Sequence, residues 1–126
     1  MKILMLSKDE NLIKTMIGTL NPEENSFSIV NDIEDPLDIM STVCSSSPSV
    51  LIADDDYLRP NTSRILHSIK KVNPNLTTVF FTSDSTIELG REILPIGIHF
   101  YSIKPISEQE CKGLIQSFSK LKQRTN

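Results

Sequence analysis

The stretch Pro48-Ser-Val-Leu-Ile-Ala-Asp54-Asp-Asp56 carries the strongest fold signal in this chain. An apolar run follows the proline and ends abruptly in three acids. Residues 50–53 show no polar alternation, the pattern of a short strand buried on both faces of a parallel sheet. In an open α/β sheet, ligands and chemistry lie just beyond the carboxyl ends of the strands. Asp54 stands at such an end, which makes it the first candidate for a reactive or binding carboxylate.

Around this strand, at about 49–53, four more short segments have strand character: 2–6, 26–30, 77–81 and 99–103. Helical patterns separate them. The first helix covers about 10–20 and places Leu12, Ile13, Met16, Ile17 and Leu20 on one face. The second opens at Asp35-Pro36, a capping acid followed by a first-turn proline, and offers Leu37, Met40, Val43 and Cys44. The third covers about 62–72 with Ile65, Leu66, Ile69 and Val72, and Pro74 stops it. The fourth starts near Ser85 with Ile87, Leu89, Ile93 and Leu94, weakened by Gly90 and Pro95. The fifth opens on Ser107-Glu-Gln-Glu110, a capping-box spacing, and presents Cys111, Leu114, Ile115, Phe118 and Leu121.

This alternation predicts an α/β fold: a flavodoxin-like, doubly wound parallel sheet of five βα units. The expected strand order is 2-1-3-4-5, with the switch point between strands 1 and 3. The 126 residues suit one domain over 1–126, residues 120–126 being a tail or a linker.

Composition narrows the function. A net charge of −3 and a pI near 5.3 argue against a dedicated nucleic-acid surface. No apolar run approaches the ~20 residues of a membrane span, and residues 3–6 read as a first strand rather than a signal peptide. Cys44 and Cys111 fall in helical patterns and are expected to be reduced core thiols in a cytoplasmic protein. His67 and His99 have no metal-binding partner at useful spacing.

The strand-end rule collects the chemistry. Strand 1 delivers Ser7, Lys8 and Asp9; strand 3 delivers Asp54, Asp55 and Asp56; strand 4 delivers Thr82 and Ser83; strand 5 delivers Lys104 and Pro105. A carboxylate, a hydroxyl and an ammonium at one edge suit a phosphoryl group. The carboxylate can act as nucleophile, and the other two can hold phosphoryl oxygens. With these residues in this order, the chain resembles the receiver domain of two-component response regulators over essentially its whole length. The spacing of Gly97-Ile-His-Phe-Tyr101-Ser-Ile-Lys104-Pro105 belongs to the same resemblance. It implies that Asp54 accepts a phosphoryl group from a histidine kinase or phosphotransferase, that Thr82 and Lys104 respond to it, and that Tyr101 is a switch aromatic. It further implies a cis Lys104–Pro105 peptide. The face made by the fourth helix, fifth strand and fifth helix would then meet an output domain, a partner protein or a second copy in a homodimer. The expected product is a signalling module rather than an enzyme, with no direct contact to nucleic acid or membrane.

The chain departs from that pattern at one important place. The family sets two acids after strand 1 to hold Mg²⁺, whereas this chain has Ser7-Lys8. Mg²⁺ needs hard oxygen ligands in a near-octahedral shell. At ~4 Å and an effective dielectric of ~20, an ammonium opposes a unit positive charge by about 4 kcal/mol. The expectation is therefore no cofactor, with Mg²⁺ disfavoured by Lys8. Asp9, Asp54 and Asp56 are the carboxylates that could contribute to a weak metal site. The alternative function is a pseudo-receiver that signals by protein or ligand binding without phosphorylation. In it Lys8, Asp54 and Lys104 form a charge cluster and Lys8 stands in for the cation. Asp55 and Asp56 are expected to be solvated or capping acids, and Tyr57 and Arg59 simple loop residues. A flavin carrier is disfavoured, because Ser7-Lys-Asp-Glu-Asn11 is no phosphate loop and the chain has no Trp.

Overall fold

Five parallel strands form one sheet in the order β2-β1-β3-β4-β5, as the alternation predicts. The computed structural model describes residues 1–124. The strands are β1 (Lys2–Leu6), β2 (Ser26–Val30), β3 (Val50–Asp54), β4 (Thr77–Thr82) and β5 (Phe100–Ile103). The helices are α1 (Glu10–Thr19), α2 (Pro36–Ser46), a single turn α3 (Asp55–Leu58), α4 (Thr62–Val72), α5 (Ile87–Ile93) and α6 (Glu108–Arg124). Of the tail, residues 120–124 continue α6, and Thr125 and Asn126 lie outside the described residues.

Strand alternation divides the core in two. Ile3, Met5, Val50, Ile52, Val79 and Phe81 face Leu12 and Met16 of α1 and Cys111 and Phe118 of α6. Leu4, Leu6, Leu51, Ala53 and Phe80 face the other way, onto Ile39 and Val43 of α2, Leu58 of α3, Ile65, Leu66 and Ile69 of α4, and Ile93 of α5. β3 and β4 are buried at every position, which is why their sequences lack polar alternation.

Helix starts follow their capping residues. Asp9, Asp35 and Thr86 accept hydrogen bonds from the amides of Leu12, Leu37 and Leu89, and Ser107 accepts from Glu110. α5 is short because Pro95 diverts it into a 3₁₀ turn, Leu94–Ile96. Gly97 then takes φ +106°, and a Cβ there would lie 3.1 Å from the Lys70 side chain. A glycine is needed on both counts.

Several apolar faces differ from expectation. In α2 the buried residues are Ile39 and Val43, while Leu37 is 70% exposed. Ile39 and Val43 lie four residues apart on one side, and Leu37 and Cys44, seven apart, share the opposite side. Cys44 is therefore exposed and not a core thiol, whereas Cys111 is buried as expected. Ile17, Val72, Ile87 and Leu94 are also exposed. β3 includes Asp54 itself, and the following acids begin a helical turn rather than an open loop. β5 starts at Phe100, with His99 just before it.

Two reactivities follow. A thiol-specific reagent should modify Cys44 at once and Cys111 only on unfolding, since burial also pushes the Cys111 thiol pKa up. Ile39→Ala should cost about 2–5 kcal/mol in urea denaturation, against less than about 0.5 kcal/mol for Leu37→Ser.

Candidate functional site

The alternation that splits the core also sorts the residues at the carboxyl edge. Asp54 continues the Val50–Ile52 side, Ser7 the Ile3–Met5 side, and both face the same layer. Ser7 Oγ donates to Asp54 Oδ2 at 2.6 Å. Asp54 is 1% exposed, and its Oδ1 accepts from the Asp56 amide at 3.1 Å. The Nζ of Lys104, just past β5, lies 2.9 Å from Asp54 Oδ1, 3.1 Å from Asp9 Oδ2 and 2.8 Å from Asp56 Oδ2. One ammonium thus gathers three carboxylates. The Lys104–Pro105 peptide is cis, as the resemblance implied.

This cluster governs its own ionisation. Burial works to lower the Lys104 pKa, but the hydrogen bonds it donates to Asp56, Asp54 and Asp9 outweigh it and raise it well above normal. Burial works to raise the Asp9 pKa, and the Leu12 amide with Lys104 brings it below normal. Asp56 is lowered in the same way, against burial, by Lys104, Ser83 and Arg59.

A second network occupies the opposite parity. Asp55 is 1% exposed, not the solvated acid expected. Its Oδ1 accepts from Thr62 Oγ1 at 2.8 Å. Its Oδ2 accepts from Thr82 Oγ1 at 2.8 Å and from Arg59 Nε at 2.8 Å. Asp55 follows the Leu51–Ala53 side of β3 and Thr82 the Phe80 side of β4, which is the same layer. Arg59 is likewise no idle loop residue, since it also donates to Asp56 Oδ1 at 2.6 Å. Asp56 is partly solvated but caps no helix, the N-cap of α3 being Asp54; its carboxylate accepts from Lys104, Arg59 and Ser83.

Lys8 takes no part in the acid cluster. It points to the Leu4–Leu6 side, and its Nζ lies 5.6 Å from the centre of the Tyr57 ring with the residue exposed. Strand parity turns it from Asp54, and the ring face favours its charge by about 0.5–1 kcal/mol. Among the described residues, the cation paired with Asp54 is Lys104. Tyr57, expected to be a plain loop residue, sits in α3 and ties it to the loop after β2: its hydroxyl donates to Ile33 O at 2.5 Å and accepts from Ile33 N at 3.1 Å.

Tyr101 stacks on Phe80 with ring centres 5.0 Å apart. Its hydroxyl is buried without a hydrogen-bond partner among the described residues. Burial, with Asp55 and Asp84 adding to it, raises its pKa. His99 Nδ1 accepts from the Thr78 amide at 3.1 Å, an extension of the sheet edge. Two clefts open onto the cluster. One, of about 530 Å³, reaches Lys8, Asp54, Tyr57 and Arg59; the other, of about 300 Å³, reaches Asn11, Thr15, Ser83 and Lys104.

The Mg²⁺ site that the resemblance implies does not fit this donor set. Asp9, Asp54 and Asp56 all turn their oxygens onto Lys104, and the strand 1 position that would add a carboxylate holds neutral Ser7. Among the described residues, no group of three or more His, Cys, Asp or Glu side chains is disposed to hold a metal ion.

Known proteins share the architecture. The chain superposes on a CheY-like response regulator receiver domain protein from Methanospirillum hungatei JF-1 with a TM-score of 0.81, at 14% identity over 99% of this chain and 98% of that one. A response regulator receiver domain protein from Clostridium thermocellum gives a TM-score of 0.75 at 21% identity, over 99% and 98% of the two chains. The fold is that of response-regulator receiver domains. In sequence, the chain is 18% identical over 109 residues to the uncharacterized transcriptional regulatory protein YesN of Bacillus subtilis (strain 168). The match takes in 86% of this chain but spans only 30% of YesN. No family model matches the chain.

Three outcomes test the site as a folded unit. Lys104→Met leaves three carboxylates facing one another and should destabilise the protein by about 3–5 kcal/mol in urea. Tyr101→Phe removes an unsatisfied buried hydroxyl and should leave stability unchanged or raise it by about 1 kcal/mol. The lowered folded-state pKa values of Asp9 and Asp56 contribute stability that is present above the unfolded value of 3.8 and lost as pH falls below it. A plot of melting temperature against pH from 2 to 6 should therefore show an acid limb, shallower in Lys104→Met.

Proposed function

We propose that the chain is a receiver-type signal-transduction module in which Asp54 is the phospho-acceptor. The observation that carries this reading is the Asp54–Lys104 contact of 2.9 Å at the carboxyl end of the central strand, at the switch point of the sheet. A carboxylate oxygen of Asp54 would attack the phosphorus of a phosphohistidine on a kinase or phosphotransferase. The P–N bond breaks, its electron pair returns to the imidazole, and an acyl phosphate forms. Lys104 offsets charge on the transferred group. No helix among the described residues is long and apolar enough to cross a membrane, consistent with a module that meets its partners in solution.

The output would leave through α5, β5 and α6. Ile87, Leu94 and Ile103 are large apolar side chains exposed on this side, a common mark of an interaction surface. Tyr101, its ring stacked on Phe80, belongs to the same side-chain layer as the Asp55–Thr82 network. In a longer regulator the surface would contact an output segment, and YesN, a transcriptional regulatory protein of which the matched part is a fraction, supports that reading.

A second reading rests on the three carboxylates held by Lys104. A pseudo-receiver would use this resident cation in place of a metal and signal through the same surface without phosphorylation. Incubation with acetyl phosphate and either Mg²⁺ or Mn²⁺, followed by intact-mass analysis, separates the two. The first reading expects a gain of one phosphoryl group, abolished in Asp54→Asn. No gain with either metal leaves the pseudo-receiver as the function.

A further inference from the structure

The hydroxyl of Thr82 is fully used in this structure. It has one proton to donate and two lone pairs to offer. The proton goes to Asp55 Oδ2 at 2.8 Å. The lone pairs accept from the Asp84 amide at 3.0 Å and from Arg59 at 3.4 Å. Asp55 is equally committed, to Thr62, Thr82 and Arg59. None of these bonds reaches Asp54, which lies on the other parity of β3.

We propose that Asp55, held by Arg59, is a latch that sequesters the Thr82 hydroxyl from the phospho-acceptor site. The proposal rests on the receiver reading and adds a regulatory residue to it. Thr82 can donate to a group on Asp54 only by giving up Asp55, so the two acids compete for one proton. The competitor is strong because it is a buried carboxylate, and hydrogen bonds to ionised acceptors are roughly twice as strong as neutral ones. Arg59 balances the charge that would otherwise make a buried Asp55 costly. The latch also bears on Tyr101, whose hydroxyl has no hydrogen-bond partner among the described residues while Thr82 is held. A freed Thr82 oxygen would be an acceptor in the same layer of side chains. The apolar surface of α5, β5 and α6 is then biased by an acid next in sequence to the acceptor and distinct from it.

Asp55→Asn keeps the side-chain shape and one acceptor for Thr62 while removing the charge that holds Thr82 and Arg59. Arg59→Gln alters only a half-exposed side chain and guards against a loss of fold in the first variant. Methyl NMR of threonine-labelled protein reads the Thr82 χ1 rotamer directly. Wild type should show one rotamer, and both variants rotamer averaging, with the shift of Tyr101 ring signals following Thr82. After reaction with acetyl phosphate, the ratio of released to latched Thr82 per phosphorylated chain should rise about tenfold in Asp55→Asn, equivalent to 1.4 kcal/mol. A single unchanged Thr82 rotamer in both variants overturns the latch. Phosphorylation is read separately by mass. Its absence from every protein removes the acceptor role of Asp54, and the rotamer result still decides the latch.

Discussion

Side chains along a β-strand alternate between its two faces, and in this protein that constraint decides which residues can meet at the carboxyl edge. Ser7, Asp54 and Lys104 share the layer of α1 and α6. Lys8, Asp55, Thr82 and Tyr101 share the layer of α2, α4 and α5. Ser7, Asp54 and Lys104 make one network and Asp55 and Thr82 another, and the sheet itself separates them. Asp56, exposed on the first turn after β3, is the point where they touch, since it accepts from both Lys104 and Arg59. The candidate site is therefore two adjoining polar clusters, one around an ammonium and one around a carboxylate.

The charge arrangement follows from burial. Asp54 and Asp55 are adjacent and both almost wholly inaccessible, a placement that would be prohibitive for unpaired carboxylates. Each has a basic partner arriving from elsewhere in the chain: Lys104 from the end of β5, Arg59 from the turn after α3. Lys104 is short of charge to balance Asp9, Asp54 and Asp56 together. The cluster thus keeps a negative excess that solvent reaches through the two clefts. The cost of such clusters is conformational commitment, because every member is fixed by more than one bond.

Much of the fold was legible in the chain. Five apolar runs and the interposed 3.6-residue periodicities specify the sheet order, since a parallel sheet of this size has few alternatives. The capping residues Asp35 and Ser107 act where their sequence contexts indicate. What misled was the choice of face in short helices rich in apolar residues. In α2, Leu37 and Cys44, seven apart, satisfy the helical period as well as Ile39 and Val43, four apart, and packing against α4 chooses between the two faces. At the site, Asp54, Thr82 and Lys104 are legible from their strand ends, and Tyr101 only through the family resemblance. Asp55 and Arg59 were missed as structural acids and bases because loop residues were assumed to be solvated. Strand parity held the missing signal: Asp55 is two residues beyond Ala53, on the side of a core-facing hydroxyl. Lys8 was misplaced for the same reason, being one residue out of phase with Ser7.

Asp54 and Asp55 are chemically identical and consecutive, yet the fold gives them different neighbours, different counter-charges and different hydroxyl donors. Their identities are positional, assigned by counting residues from the middle of β3. The site should consequently tolerate many conservative substitutions more readily than a change of length. One residue deleted between Val50 and Asp54 would bring the Thr82-bound carboxylate to the Lys104 address and draw the Lys104-bound one back into the strand, whereas one residue inserted would send the Lys104-bound carboxylate to the Thr82 address and the Thr82-bound one a step beyond it. Every acid of the site would remain in the chain while its partners changed, so the spacing within this strand is itself a functional constraint on the protein.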